Sequence, residues 1–170
     1  GKSSHGSELL ISDDPKKAKD LALDLDQYNK ERKSIELLLS EEVNSQAMKF
    51  EKDPVLVLSG DNWHEGIIGI VAARIKDKYN KPTILISVTK NVGKGSARSI
   101  IGFDIGGNII KATQLDITNK GGGHKMAAGF TIEKNKISKL REFLIESFKK
   151  SRSNILQDAN LYLDTSIAPS

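Results

Sequence analysis

The stretch VLVLSGDNWHEGIIGIVAARIKDKYNKPTILISV, residues 55–88, decides the fold. Its opening VLVLS (55–59) is a compact apolar run of the kind that forms a strand buried on both faces. Gly60-Asp61-Asn62 then turns the chain. From Glu65 to Tyr79 the apolar side chains Ile67, Ile68, Ile70, Val71, Ala72 and Ile75 recur at helical steps, and Pro82 ends that helix because it has no N–H to donate. TILISV (83–88) is a second buried strand. Strand, helix and strand in succession make a βαβ unit, whose two strands are expected to pair in parallel.

Upstream, Ala18, Leu21, Ala22, Leu25, Tyr28, Ile35, Leu38, Leu39 and Ala47 recur mostly at three- and four-residue steps, with no Gly or Pro after Pro15 until Pro54. Ser12-Asp13-Asp14-Pro15 offers N-cap residues and a proline at the first helical position. A helix from Pro15 to about Lys49 would span roughly 50 Å, the length of a strut between two bodies. The stripe is not a sustained a/d heptad, so a monomer is expected, with a short coiled-coil dimer as the rival. The first dozen residues, GKSSHGSELLIS, read as the end of an upstream domain or as an appended remnant.

Downstream, Lys90 to Lys94 reads as a basic loop, GSARSI (95–100) as a shorter strand, and Asp104 as the N-cap of a helix through about Leu115. A glycine-histidine turn follows at GGGH (121–124), then a strand AAGFTI (127–132). Lys136 to Lys150 is an amphipathic helix with Ile137, Leu140, Phe143, Leu144 and Phe148 inward. SRSNILQDAN (151–160) reads as a linker and LYLDTSI (161–167) as a lone strand. The fold class is thus α/β, a mixed and largely parallel sheet flanked by helices and preceded by a long connecting helix.

The chain has 170 residues, 26 Lys and Arg against 22 Asp and Glu, and 5% aromatic residues. The mild positive excess is compatible with a polyanionic partner, but so few aromatic rings argue against a surface that grips single strands mainly by stacking. Absence of cysteine excludes disulfides and thiolate metal sites and fits a cytoplasmic location. No run approaches the roughly 18 apolar residues of a membrane span, so no membrane association is expected.

Few residues carry chemistry. Three consecutive glycines, Gly121, Gly122 and Gly123, are costly in conformational entropy and are used where the backbone takes positive φ or meets something closely. They run directly into His124, which is thereby presented to whatever approaches. Ser96 and Arg98 alternate onto one face of a strand with Lys94, a hydroxyl and two cations suited to a phosphate; a solvated strand edge is the plain alternative. His64 precedes Glu65 at a helix N-terminus and either caps that helix or meets an anion there. His5 lies in the polar N-terminal piece and is assigned no chemistry. The Asp pairs Asp13/Asp14 and Asp24/Asp26 have no histidine nearby, so no two-metal hydrolytic centre is expected in this chain.

WHEGIIGIVAARIKDKYNKPTILIS (63–87), GSARSI (95–100), GFDI (102–105) and GGGHKMAAGF (121–130) together resemble the DHHA1 domain of the RecJ family, bacterial single-strand-specific 5′→3′ DNA exonucleases. DDPKKAKDLALDLDQYNKERKSIE (13–36) resembles the helix that joins the catalytic DHH domain to DHHA1 in that family. GKSSHGSELL resembles the end of the DHH domain, and LYLDTSI resembles the opening of the following oligonucleotide-binding (OB) fold. The implied organisation is a DHH tail at 1–12, a connecting helix at 13–50, DHHA1 at 54–150, and a linker with the first OB strand at 151–170.

The resemblance implies metal-dependent phosphodiester hydrolysis in DNA repair and recombination. Mn2+ or Mg2+ would be held by a DHH domain that this chain lacks, leaving the chain inactive by itself. His124 would contact the scissile phosphate, Gly121, Gly122 and Gly123 would let the backbone reach the substrate, and Ser96 and Arg98 would grip a 5′-terminal phosphate. Lys94 and His64 would support binding of single-stranded DNA with a 5′ end, and a single-strand-binding protein and a helicase would be the protein partners. The chain departs from the family pattern at Ala97, where glycine is frequent, and at Glu65, where proline is common; the second departure is expected to have little mechanistic consequence. GGGH is shared by other DHHA1 proteins, so a tRNA-binding module and an oligonucleotide or cyclic-dinucleotide phosphodiesterase are the alternatives.

Overall fold

The computed structural model describes residues 15–164. The caps expected at Ser12–Asp14, the segment 1–12 and the last residues of LYLDTSI lie outside the described residues. In chain order the elements are α1 (Pro15–Lys49), β1 (Leu56–Asp61), α2 (Glu65–Tyr79), β2 (Thr83–Thr89), β3 (Val92–Arg98), α3 (Ile105–Gln114), β4 (Lys120–His124), β5 (Ala127–Glu133), a 3₁₀ turn at Lys134–Lys136 and α4 (Ile137–Asp164).

The five strands form one sheet in the order β1-β2-β3-β5-β4. β1 and β2 pair in parallel across α2, as a βαβ unit requires, while the β2–β3, β3–β5 and β5–β4 pairings are antiparallel. The α/β class and the mixed sheet stand, but the sheet is mostly antiparallel rather than largely parallel. The reason is the loop at Lys90-Asn91: Thr89 pairs with Val92 around a two-residue turn in which Lys90 has φ 57°, so the chain doubles back at once.

Two cores lie on opposite faces of the sheet. On one, Leu56, Leu58 and Leu85 pack against Leu39, Val43 and Ala47 of α1 and Ile67, Ile68, Val71 and Ile75 of α2. On the other, Val57, Ile84, Ile86, Ala97, Phe130 and Ile132 pack against Ile105 and Ile109 of α3 and Leu140, Leu144 and Phe148 of α4. Arg141 ties α4 to β1: its Nη2 donates to the Val57 carbonyl at 2.6 Å, and its guanidinium lies 4.1 Å from the Phe50 ring centroid.

The long helix runs where the periodicity puts it, but its docked stripe is narrower than expected. Glu36, Leu39, Val43 and Ala47 are buried, whereas Ile35 and Leu38 are exposed. Steps of three and four residues keep the first set on one side, and Leu38 sits about 100° around the helix from Leu39. Polar contacts fix the docking: Arg74 Nη2 meets Glu36 Oε1 at 2.5 Å, Trp63 Nε1 donates to Glu42 Oε1 at 3.1 Å, and Asn44 Oδ1 accepts from Tyr79 OH at 3.0 Å.

Two local expectations are corrected. β3 begins at Val92 rather than Gly95, because Gly93 and Gly95, poor strand formers, leave room for Ile86, Ile132 and Phe130 across the sheet. α4 runs to Asp164, through the expected linker and into LYLDTSI. No Gly or Pro stands between Ile137 and Asp164 to end the helix, and a lone strand has no neighbour with which to hydrogen-bond.

Candidate functional site

The site follows from strand register. Across β3, β5 and β4 the aligned residues are Lys94–Thr131–Lys120, Ser96–Gly129–Gly122 and Arg98–Ala127–His124. Alternation puts all nine on one face, the face that α1 and α2 cover only over the first part of the sheet. The strand in the middle presents small side chains there, Ala127, Gly129 and Thr131, between a row of Lys94, Ser96 and Arg98 and a row of Lys120, Gly122 and His124. Two strand spacings separate the rows by roughly 10 Å. The result is a trough with cations and hydrogen-bond donors along both banks. A cavity of about 540 Å³ occupies it, lined by Glu65, Lys94, Ser96, Lys120, Gly122 and Thr131 among others.

GGGH is an edge strand rather than a turn; the turn is at Lys125-Met126, between the paired residues His124 and Ala127. None of the three glycines has positive φ, so close approach is their reason. A Cβ on Gly121 would lie 2.6 Å from Ile109 Cγ2 and 3.0 Å from Thr113 Oγ1, and one on Gly123 would strike the Ala127 carbonyl. A Cβ on Gly122 would meet nothing within 4 Å. Packing inside the domain therefore accounts for two of the glycines, while Gly122 opens onto the trough.

Arg98 Nη1 donates to the Ala97 carbonyl at 2.8 Å and lies 3.3 Å from Ser96 Oγ, so guanidinium and hydroxyl are held together. Gly69 of α2 passes over them: a Cβ there would stand 2.9 Å from Arg98 Nη2 and 3.0 Å from Ser96 Oγ. His124 is exposed, and its Nδ1 accepts from the Met126 N–H at 3.4 Å. That bond leaves Nε2 as the nitrogen free to donate. Lys94 Nζ lies 2.8 Å from Glu65 Oε2.

Register thus brings together Lys94, Ser96, Arg98, Gly122 and His124 on one face. Gly121 and Gly123 point to the other face and support the strand. His64 stands apart: it is the N-cap of α2, its Nδ1 accepting from the Gly66 N–H at 3.2 Å, and it lines clefts against α1 with Ile35 and Trp63. The sequence reading did not single out Lys120, Gly129 or Thr131, and it noted Glu65 only as a departure of little mechanistic consequence. Reading GGGH as a turn hid the alternation that puts Lys120 and His124 on one side; read as a strand, NKGGGH shows it.

Among the described residues, no group of three or more His, Cys, Asp or Glu side chains is placed to hold a metal ion. No helix among them is long and apolar enough to cross a membrane.

The model of the DHHA1 domain family matches residues 52–150. The single-stranded-DNA-specific exonuclease RecJ of Haemophilus influenzae is 40% identical over 135 residues, which cover 75% of this chain and 24% of that protein. RecJ of Bacillus subtilis is 35% identical over 141 residues, covering 81% of this chain and 18% of the relative. The chain therefore spans a quarter or less of these curated relatives. Among solved structures, exonuclease RecJ bound to manganese superposes with a TM-score of 0.73 at 26% identity, covering 84% of this chain and 35% of that one. RecJ of Thermus thermophilus in complex with Mg2+ gives 0.72 at 26% identity, covering 84% and 22%. With a family match over more than half its length and a fold shared with RecJ, the chain belongs to the DHHA1 domain family.

Proposed function

We propose that this chain is the substrate-gripping part of a RecJ-type enzyme, a single-stranded-DNA-specific 5′→3′ exonuclease of DNA repair and recombination. The observation that carries the reading is the trough: two polar rows, Lys94-Ser96-Arg98 and Lys120-Gly122-His124, flank a strand of small residues. A polyanion backbone fits such a surface because charged and hydroxyl donors can reach its phosphates from both banks while nothing bulky blocks the middle. Arg98 and Ser96 grip the 5′-terminal phosphate. His124 donates from Nε2 to the scissile phosphate, stabilising the charge that develops there, and Gly122 admits the nucleotide backbone. His64 acts at one remove, holding the start of α2 beside Lys94.

The manganese- and magnesium-bound RecJ structures support divalent-metal use by the full-length enzyme, and this reading assigns those ions to a separate DHH domain. No step through them is assigned to these residues. The reading includes a monomer acting in the cytoplasm, with a single-strand-binding protein and a helicase as partners. It also makes the chain inactive alone, a claim refuted by metal-dependent nucleotide release from the purified protein.

The test of the site is fluorescence anisotropy with a short single-stranded DNA bearing a 5′-phosphate or a 5′-hydroxyl, for the wild type and Arg98→Ala. Loss of one hydrogen bond to a charged group costs about 1.5–3 kcal/mol. The expected result is a preference for the 5′-phosphate that Arg98→Ala removes. Equal binding of both ends by the wild type refutes the end-reading role.

A further inference from the structure

Glu65 is the first residue of α2, directly after the His64 cap, and it lines the same cavity as Lys94, Ser96 and Gly122. It is the sole acidic residue among the described residues lining that cavity. Its Oε2 lies 2.8 Å from Lys94 Nζ, with the two side chains 50% and 59% exposed. One carboxylate therefore offsets two positive features of the trough. The first is the Lys94 ammonium; the second is the positive end of the α2 dipole, where an anion is favoured within the first turn.

We propose that Glu65 is a built-in competitor for phosphate, a residue that sets the affinity and salt dependence of the trough by holding Lys94 until a nucleic-acid phosphate displaces it. The inference rests on the reading of the trough as a nucleic-acid site and adds to it the residue that tunes that site. An exposed ion pair of this kind is weak, so the carboxylate yields to a polyanion and acts as a tuner rather than a lock. While it remains near, it also repels the arriving phosphate. Its removal leaves Lys94 and the helix end free together.

The test is anisotropy of this chain with a 3′-labelled, 5′-phosphorylated oligothymidylate over a salt series, with variants Glu65→Gln, Glu65→Asp, Lys94→Met and the Glu65→Gln/Lys94→Met pair. Glu65→Gln is expected to tighten binding by about three- to tenfold at low salt, the effect of deleting one like charge near a phosphate at a partly exposed site. One more cation released to the strand steepens the slope of log K against log salt by about 0.7. Glu65→Asp keeps the charge and is expected to show no gain, and the gain is expected to shrink when Lys94 is methionine. Circular dichroism of each variant reports the fold. End preference that depends on Arg98, with no gain from Glu65→Gln, overturns this inference and leaves the function standing. So does a gain undiminished in the Lys94→Met background. No DNA binding by the wild type or any variant overturns the inference and the function together.

Discussion

Replacing each glycine of the GGG run by alanine separates its structural from its functional role. In Gly121→Ala the new methyl carbon would stand 2.6 Å from Ile109 Cγ2, 3.0 Å from Thr113 Oγ1 and 3.1 Å from Phe130 Cβ, between α3 and the sheet. Ile109 is fully buried and cannot swing away, so the helix must lift or the strand must shift. Overpacking of this kind costs about 1–3 kcal/mol, and a chain of this size loses about 2–4 °C in Tm per kcal/mol. A fall of roughly 2–12 °C is therefore expected. Gly123→Ala meets the backbone of Ala127 and Ala128, which has no rotamer to change, and should cost at least as much.

Gly122→Ala is the contrasting case. Nothing lies within 4 Å of its Cβ position and its φ is not positive, so the fold should tolerate it. A narrowed unfolded ensemble could even add about 0.4–1 kcal/mol of stability. The methyl instead stands in the trough, and a strand seated against the bare backbone loses about 1–3 kcal/mol by the same overpacking. Thermal melts followed by circular dichroism, with anisotropy against single-stranded DNA, measure both quantities. A Gly122→Ala protein that melts as low as Gly121→Ala, or one that binds DNA as the wild type does, would refute the assignment of Gly122 to the open face.

Two further outcomes test the scaffold under the site. Leu39→Ala, at a buried position between α1 and α2, should cost about 2–5 kcal/mol, while Leu38→Ala, 68% exposed one residue earlier, should stay within about 0.5 kcal/mol of wild type; urea titration distinguishes them, and equal losses would mean that the docked stripe is misplaced. Asp104→Ala removes the carboxylate that accepts from the Gly107 N–H at 2.9 Å and should cost about 0.5–2 kcal/mol, with melts unchanged from wild type counting against the cap.

Most local structure was legible because it rests on local causes. Apolar residues at helical spacing define α1 and α2, Asp104 starts α3, and the apolar runs at 55–59 and 83–88 make the buried strands of the βαβ unit. The same logic placed Ser96, Arg98 and Lys94 on one face, since alternation along a strand needs no partner. The departures arose where a residue's state depends on something distant in sequence. Gly93 looks like a loop residue until Ile86 and Ile132 arrive to fill the space above it, and GGGH looks like a turn until Ala127–Glu133 pairs with it.

By itself the sequence determined the α/β class, the long helix and the residue types that can hold a phosphate, because periodicity, capping and chemistry are properties of neighbouring residues. Only the tertiary structure decided that Lys94, Ser96 and Arg98 face Lys120, Gly122 and His124 across a floor of small residues, and that Glu65 sits at the edge of that floor on Lys94. Antiparallel register across three strands selects those neighbours. Register is a relation between segments that neither segment carries alone.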